Sequence, residues 1–374
     1  MEIKVNSNEL TKRLEQLVKV IASRSVLQIL NDVMVSVHGD TAVLTASDSE
    51  QYLSLKCKVK DNVESFKFCV NARDFLELVK NIIDTEITIS LDENDKVVFC
   101  DYGNGNFSMP YENADEFPTQ NICGDNETSV VLDSKKVLKS LELTKFAVGN
   151  SIVRPIINGI NFNFCEGSMV VSATDTFTVA LYEDDTVECE DSTSMNFTIP
   201  KKSADVLSSI LRTIEGDIKI SSDNSSISVS NSDFKMTARI ICGNFPNVKS
   251  VIPDSTSVNV TIDRMSMISA MKRVLPVSDD MSNLVVMFFE KGQVTLSADN
   301  AQFGKSASET IVCDCDNELK IGFKGSSFVE ILRNIDDENV SIGMTTNVGC
   351  AIFNAVTAYK KKEYTLLLSP SLIK

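Results

Sequence analysis

The sequence contains a single histidine, His38, and this scarcity excludes several kinds of site. One imidazole beside a Gly39-Asp40 turn supplies neither a histidine-rich metal site nor a Ser-His-Asp triad. The sequence also contains no phosphate-binding loop and no glycine-rich nucleotide fingerprint. Histidine-based catalysis and nucleotide-driven chemistry are therefore not indicated.

Long apolar runs and paired cysteines are missing as well. No segment approaches the ~20 apolar residues that span a membrane, and residues 1–5 look like a strand rather than a secretory signal. The ten cysteines include no Cys-x-x-Cys pair. We expect reduced thiols in a cytoplasmic protein with no metal, no cofactor and no membrane partner. A secreted, carbohydrate-binding β-rich protein is disfavoured for the same reason.

Positive charge is in short supply across the chain. There are 36 Lys and Arg residues against 52 Asp and Glu residues, so the net charge is −16. Binding to phosphates requires clustered Lys and Arg side chains. A nucleic-acid partner is therefore expected only if the basic residues are concentrated on one surface.

A short motif that ends in aspartate occurs three times. Thr45-Ala46-Ser47-Asp48, Ser172-Ala173-Thr174-Asp175 and Ser297-Ala298-Asp299 each follow a strand-like run. The Asp residues are separated by 175 − 48 = 127 and 299 − 175 = 124 positions. A period of this length indicates repeated domains rather than a solenoid.

The helical segments support the same repeat. Residues 74–82 align with residues 327–335, at an offset of 328 − 75 = 253 between Phe75 and Phe328. Each copy contains two amphipathic segments and about eight strand-like runs in blocks, which is typical of an α+β domain. We predict three such domains, at residues 1–125, 128–253 and 256–374, each with two helices packed on antiparallel sheets.

Each predicted helix carries at least one basic residue away from its apolar stripe. A solvated helix face explains any single case. If all six helices line one surface, they form a basic track that contacts phosphates without reading bases. The cations are Lys12, Lys80, Lys139, Lys202, Arg273 and Arg333.

Together these features resemble a known family, the bacterial sliding clamp or beta subunit of DNA polymerase III. The resemblance covers the whole chain and includes the segments 46–50, 199–202, 244–247 and 364–370 at the corresponding places. It implies the DNA clamp fold and a head-to-tail homodimer that forms a ring. Such a ring encircles double-stranded DNA independently of sequence. It is a processivity factor, not an enzyme, and tethers DNA polymerase and clamp loader through short linear peptides.

The resemblance also implies three sets of site residues. For DNA it implies Arg24, Lys80 and Lys202, to which the helix-face argument adds Lys12, Lys139 and Arg333. For a peptide-binding cleft it implies Arg154, Ile156, Ile157, Thr174, Thr176, Phe177, Val179, Pro246, Val251, Leu367, Ser369 and Pro370. For the dimer interface it implies that Phe107 and Met109 meet Val274 and Leu275 of a second copy.

The chain departs from the family at the cleft. There, Asp175 is usually followed by Gly, a basic or polar residue and Arg, but here by Thr176-Phe177-Thr178. The usual Met-Pro ending is replaced by Leu368-Ser369-Pro370 and four further residues. We expect a cleft with an altered peptide preference.

An alternative function is that of a carboxylate-dependent hydrolase using Asp48, Asp175 and Asp299. Repeated carboxylates are suited to acid–base work or to holding a metal ion. The competing interpretation is structural, because an Asp at a strand end accepts turn and capping bonds from the backbone. The two differ in whether the carboxylates face a cleft or their own backbone.

Overall fold

A computed structural model describes residues 1–22, 25, 27–61, 64–118, 128–165, 167–187, 194–223, 225–357 and 364–373. Among these residues there are six α-helices. They are α1 (Ser7–Leu17), α2 (Ala72–Val79), α3 (Ser134–Thr144), α4 (Lys201–Leu211), α5 (Arg264–Val274) and α6 (Gly325–Arg333).

The same residues contain 24 strands, and the pairings between them within the sheets are antiparallel. The first twelve are β1 (Glu2–Asn6), β2 (Asp32–His38), β3 (Thr41–Ser47), β4 (Gln51–Lys58), β5 (Phe66–Asn71), β6 (Glu86–Asp92), β7 (Val97–Tyr102), β8 (Gly105–Pro110), β9 (Thr128–Asp133), β10 (Gly159–Cys165), β11 (Ser168–Thr174) and β12 (Thr178–Asp184). The others are β13 (Met195–Pro200), β14 (Asp217–Ser222), β15 (Ser226–Ser230), β16 (Phe234–Arg239), β17 (Val258–Asp263), β18 (Leu284–Glu290), β19 (Gln293–Asn300), β20 (Lys305–Val312), β21 (Leu319–Lys324), β22 (Asn339–Met344), β23 (Ala351–Ala355) and β24 (Tyr364–Leu368).

The first helix shows why these segments are helical. Asn6 precedes α1, and its side chain accepts hydrogen bonds from the N–H groups of Asn8 (3.0 Å) and Glu9 (3.2 Å). Leu10 and Leu14 lie one turn apart and are buried. The local pattern thus fixes both where the helix begins and which face meets the sheet.

The chain divides into two compact units. The first comprises Met1–Leu138 with Lys202–Ile240, and the second comprises Lys139–Lys201 with Ile241–Lys374. The first unit contains a four-stranded sheet in the order β1-β6-β7-β8 and an eight-stranded sheet in the order β5-β2-β3-β4-β16-β15-β14-β9. Helices α1 and α2 pack against each other in this unit.

The second unit repeats this arrangement. Its eight-stranded sheet has the order β13-β10-β11-β12-β24-β23-β22-β17, and its four-stranded sheet has the order β20-β19-β18-β21. Helices α5 and α6 are in contact, and Phe328 of α6 lies between Phe323 and Phe353 at centroid distances of 5.5 and 5.1 Å. Aromatic rings therefore form the centre of this core.

Each eight-stranded sheet consists of two four-stranded halves joined edge to edge. The halves meet through β4 and β16 in the first unit, where Leu55 lies opposite Phe234. They meet through β12 and β24 in the second unit, where Val179 lies opposite Leu367. The prediction of an α+β protein with helices on antiparallel sheets is confirmed.

Candidate functional site

The first repeated aspartate, Asp48, organises a tight turn between β3 and β4. Its Oδ1 accepts hydrogen bonds from the N–H groups of Glu50 (3.0 Å) and Gln51 (2.9 Å). Ser49 adopts a positive φ of 75°, and its N–H donates to Ser47 Oγ at 3.0 Å. The carboxylate therefore holds its own backbone, as an Asx turn does.

The second copy, at Asp175, has the same geometry between β11 and β12. Asp175 Oδ1 accepts from the N–H groups of Phe177 (2.9 Å) and Thr178 (2.6 Å). Thr176 has a φ of 82°, and its N–H donates to Thr174 Oγ1 at 3.0 Å. The glycine that the resemblance leads us to expect after Asp175 would adopt this positive φ without steric cost.

The third copy is different. Asp299 lies within β19, opposite Ser306 of β20, and its side chain is exposed. Throughout the described part of the chain, no group of three or more His, Cys, Asp or Glu side chains is arranged to hold a metal ion. The hydrolase alternative gains no support from these three carboxylates.

Lys202, one of the predicted DNA-binding residues, contacts Asp48. Its ammonium bonds to Asp48 Oδ2 and to the carbonyl of Val20, the latter at 3.0 Å. The Asp48 side chain is 8% exposed, whereas that of Lys202 is 48% exposed. This lysine joins the start of α4 to the Asp48 turn, so it has a structural contact that the helix-face argument did not reveal.

Four other predicted cations are exposed, three of them on helices and Lys80 directly after α2. Lys12 lies on α1 and Lys139 on α3. Lys80 forms an ion pair with Glu77 at 2.5 Å, and Arg333 pairs with Glu330 at 3.6 Å. Arg24 lies outside the described residues. Neighbouring carboxylates therefore offset part of the positive charge.

The predicted cleft residues belong to the second unit and divide into two groups. The buried group consists of Ile157, Thr174, Val179 and Leu367. The exposed or half-buried group consists of Arg154, Ile156, Thr176, Phe177, Pro246, Val251, Ser369 and Pro370. The buried residues can support a binding surface from below, and the exposed residues can contact a bound peptide.

Strands β12 and β24 form the floor beneath these residues. Val179 and Leu367 pack with Leu181 and Val248 in one apolar cluster, to which Phe245 adds a half-buried ring. Sequence reasoning missed Leu181 and Val248. The alternation Val179-x-Leu181 along β12 was the signal that could have identified the first of them.

Segment 245–249 lies beside a cavity of about 300 Å³ on the same sheet. Its lining combines amide and apolar side chains with one hydroxyl and one lysine, and Pro246 is the one predicted cleft residue that contributes to it. The lining residues are Asn161, Asn163, Val170, Ser172, Leu181, Asn196, Phe245, Pro246, Asn247, Val248 and Lys249. The cleft region thus includes polar contacts that the resemblance did not specify.

Two apolar side chains in this region are exposed: Phe177, a predicted cleft residue, and Ile152, which lies two positions before Arg154 in the sequence. Phe177 is 62% exposed, while its carbonyl accepts a hydrogen bond from the N–H of Ser369 at 2.8 Å. Ile152 is 97% exposed in a loop that Asn158 holds by hydrogen bonds of 2.6 and 2.9 Å to the Ser151 backbone. Single exposed apolar residues are common on protein surfaces, so these two acquire significance only through their place beside the other cleft positions.

The predicted dimer residues lie at different depths. Phe107 of β8 is half-buried against the Tyr102 ring, at a centroid distance of 6.2 Å, and Met109 is buried. Leu275 is half-buried after α5. Val274 is 1% exposed because α5 turns it toward β19 and β20, so it belongs to the core of the second unit.

Comparison with known proteins identifies the chain's family. Sequence models of the DNA polymerase III beta subunit match residues 1–121 (N-terminal domain), 131–247 (central domain) and 249–367 (C-terminal domain). The chain belongs to the DNA polymerase III beta subunit family. The recognition made from the sequence is thereby confirmed.

Similar beta subunits come from distant bacteria. The Beta sliding clamp of Chlamydia muridarum is 25% identical over 360 residues, covering 96% of each chain. That of Halalkalibacterium halodurans is 26% identical over 341 residues, covering 87% of this chain and 88% of the relative.

Among solved structures, the DnaN sliding clamp of Pseudomonas aeruginosa bound to griselimycin superposes with a TM-score of 0.92. It is 22% identical and covers 100% of both chains. Within the described residues of this beta-subunit family member, no helix is long and apolar enough to cross a membrane.

Proposed function

We propose that this protein is a sliding clamp, a processivity factor that encircles duplex DNA and tethers the replicative polymerase. The proposal rests on family membership and on the unpaired edge strands of the two four-stranded sheets. It treats the protein as a topological tether rather than an enzyme, acting in the cytoplasm on DNA. It also divides the chain into three clamp domains, at residues 1–125, 128–253 and 256–374.

The sheet order is the observation that carries the homodimer. Strands β4 and β12 are the edges of two four-stranded halves, and each is joined by an edge strand from a second half. Among the described residues, the two four-stranded sheets end at β1 and β8 and at β20 and β21 without such a partner strand. The family resemblance selects β8 and β20, since it places Phe107 and Met109 of one copy against Val274 and Leu275 of another. Strand β8 of one copy can then join β20 of another, as β16 joins β4. Two copies placed head to tail close a ring in which these two edges are paired.

The side chains near these edges fit such a contact. Phe107 and Leu275 are half-buried and have apolar surface left to cover, with Met109 and Val274 packed behind them. Arg273 supports β20 through a hydrogen bond from Nε to Glu309 Oε2 at 2.8 Å. The Glu309 carboxylate holds the pKa of this arginine above its ordinary value.

The solution mass tests the dimer. The chain has a mass of 41.1 kDa, so a dimer has a mass of 2 × 41.1 = 82.2 kDa. Phe107→Asp is expected to give monomers because it places a charge in the β8–β20 contact. Phe99→Asp is the matched control, since Phe99 is exposed on β7 of the same sheet. A monomeric wild type, or equal dimerisation of both variants, would refute the arrangement.

DNA is held by the ring and not by strong contacts. The exposed helix cations Lys12, Lys80, Lys139 and Arg333 are suited to sequence-independent phosphate contacts, to which Arg24 and Lys202 add by family resemblance. Carboxylates next to Lys80 and Arg333 weaken these contacts, and weak contacts favour sliding. Loaded protein should stay on nicked circular DNA and leave linear DNA from its ends. Equal retention on both DNAs would contradict encirclement.

Partner peptides occupy the cleft near Phe177. The Pseudomonas aeruginosa clamp has been solved bound to griselimycin, which makes this compound a practical probe. Phe177→Ala should weaken griselimycin binding about tenfold, since a well-packed aromatic contact contributes about 1.5 kcal/mol or more to binding. The matched control is Phe99→Ala, because Phe99 is an exposed aromatic residue of the first unit. Unchanged affinity in Phe177→Ala would exclude this residue from the cleft surface.

A further inference from the structure

The first unit contains a cavity of about 340 Å³ whose lining includes none of the side chains named above for DNA, the cleft or the dimer, although Pro110 at the end of β8 borders it. Its lining combines three carboxylates with three amide side chains and a small apolar surface. The lining residues are Asp32, Glu112, Glu116, Gln28, Asn31, Asn71, Ile29, Cys69 and Pro110. The composition indicates a cationic ligand with an apolar part.

Backbone pairing holds this cavity in shape. Asp32 at the start of β2 lies opposite Asn71 at the end of β5. Cys69 and Glu112 exchange backbone hydrogen bonds of 3.0 and 2.8 Å, which fix the segment carrying Glu112 against β5. Below them, Cys69 packs with Ala114 and Phe117 in a small apolar core. The carboxylates are therefore carried by paired strands and a packed turn.

Asp32 is the member that points to a ligand. Its residue is 7% exposed, yet no hydrogen bond or ion pair to its carboxylate is found among the described residues. Burial and the nearby Glu112 raise its pKa to about 6. In the described part of the chain, the cavity lining contains no Lys or Arg side chain that could pair with it. A buried carboxylate without a partner is costly unless something binds it.

The geometry favours an extended cation over a metal ion. Among the described residues, the acids do not form a group that could hold a metal ion. A guanidinium group offers five N–H donors in a planar fork and is weakly hydrated, so it can satisfy acceptors that are spread apart. Ile29 and Pro110 supply apolar surface for the methylene stem of an arginine.

We propose that this cavity binds the guanidinium group of an arginine side chain presented by a segment of a partner protein. Asp32 is the buried acceptor at its base. Glu112 and Glu116, both exposed, supply acceptors at the rim. The site is independent of the proposed cleft and clamp function.

Ligand-observed NMR on the full-length protein tests the proposal, with N-acetyl-L-arginine methylamide as the probe. The neutral isostere N-acetyl-L-citrulline methylamide should bind about tenfold more weakly, because charge-assisted hydrogen bonds are lost. Free L-arginine is the third ligand, since it carries a charged ammonium and a carboxylate that a peptide lacks. Equal binding of arginine and citrulline probes, or tighter binding of free L-arginine, would overturn the proposal.

Variants locate the site. Asp32→Asn should weaken binding of the arginine probe about tenfold, and Asp101→Asn, an exposed acid on β7, should leave it unchanged. Glu112→Gln combined with Glu116→Gln provides a second test on exposed positions, where folding is not at risk. Unaltered binding in both the Asp32 variant and the double variant would place the probe elsewhere.

Acidification gives an independent readout. Asp32 faces Glu112 and Glu116, and it also faces the Cys69 thiol, whose pKa burial raises to about 12. The thiol therefore stays protonated throughout the acidic range, where the raised pKa of Asp32 lies. Binding should fall between about pH 7.5 and about pH 5 in the wild type as Asp32 gains a proton. Binding that is constant over this range would contradict the role of Asp32.

Discussion

The turns at Asp48 and Asp175 share their hydrogen bonds and their left-handed residue, but their surroundings differ. The Asp48 side chain is 8% exposed and accepts a hydrogen bond from the Lys202 ammonium, so this turn is tied to the start of α4. The Asp175 turn instead presents Phe177, which is 62% exposed. The backbone of a repeated turn was thus retained while its side chains were adapted to different tasks.

A repeated motif therefore identifies local structure more reliably than function. Both Asp residues accept N–H groups two and three positions later, and those bonds depend only on neighbours in sequence. The contact to Lys202 depends on a residue 154 positions away. A short repeat carries no information about such a partner.

The largest expected effect is a difference in stability between two matched substitutions. Asp48→Ala should lower the free energy of unfolding by about 3 kcal/mol, since it removes the turn bonds and leaves the Lys202 ammonium with the Val20 carbonyl but without a counter-charge. Asp175→Ala should cost about 1 kcal/mol, because the turn bonds alone are lost. Urea denaturation of both variants measures the difference.

The asparagine variants sharpen that result. Asp48→Asn keeps an acceptor for the turn but loses the ion pair. Its free energy of unfolding should therefore lie between those of the wild type and Asp48→Ala. The free energy of unfolding of Asp175→Asn should be close to that of the wild type. Equal losses at both sites would show that the contact with Lys202 contributes nothing to stability.

Asp32 differs from both turns, because its buried carboxylate has no hydrogen-bond or ion-pair partner among the residues that the structure describes. Its pKa is raised from the ordinary 3.8 to about 6, so the folded protein binds the proton more tightly than the unfolded chain. The ionised form therefore costs stability above about pH 6, and this cost disappears as the pH falls below about 4. Asp32→Asn should raise the free energy of unfolding by about 2 kcal/mol at neutral pH.

The pH dependence provides the control for this variant. The gain over the wild type should shrink steadily between about pH 6 and about pH 4, and the two proteins should then unfold alike. Thermal unfolding across this range is the measurement. If the gain in stability were the same at about pH 4 as at about pH 6, the charge of Asp32 would not be the cause of that gain.

The ion pair of the first turn should respond to salt. Lys202→Met keeps the apolar stem but removes the charge, and it should destabilise the protein by about 1 kcal/mol at low ionic strength. The difference from the wild type should narrow in about 1 M salt, because salt screens the half-exposed pair. Lys12→Met, at an exposed position on α1, is the control and should change stability little.

The smallest effect concerns the left-handed residues. Thr176→Gly and Ser49→Gly should each stabilise the fold by about 0.5 kcal/mol, since glycine has no steric cost at a positive φ. The gain should be larger for Thr176, because a β-branched side chain is the more strained. Thr178→Gly, within β12, should destabilise instead. Destabilisation by Thr176→Gly would show that its side chain makes a contact worth more than the strain.

The sequence was informative wherever structure depends on near neighbours. The stripe of Leu10, Leu14 and Leu17 placed the buried face of α1, and the exposed cations followed as its complement. The family resemblance placed Val179 at the cleft, within a strand-like run. The sequence could not show that Val248 packs on that strand, because the segment arrives from about 70 positions further along the chain.

What the sequence determined by itself is the threefold repeat, the α+β class and the turn chemistry of Asp48 and Asp175. Each of these follows from spacing, period or a side chain bonding to its own backbone. The tertiary structure alone decided that β4 meets β16 and β12 meets β24, and that β8 and β20 are among the sheet edges. It also decided that Asp48 gains Lys202, while Asp32 is buried with no bonding partner for its carboxylate in the described part of the chain. The physical reason is that burial and ion pairing depend on residues far apart in the chain.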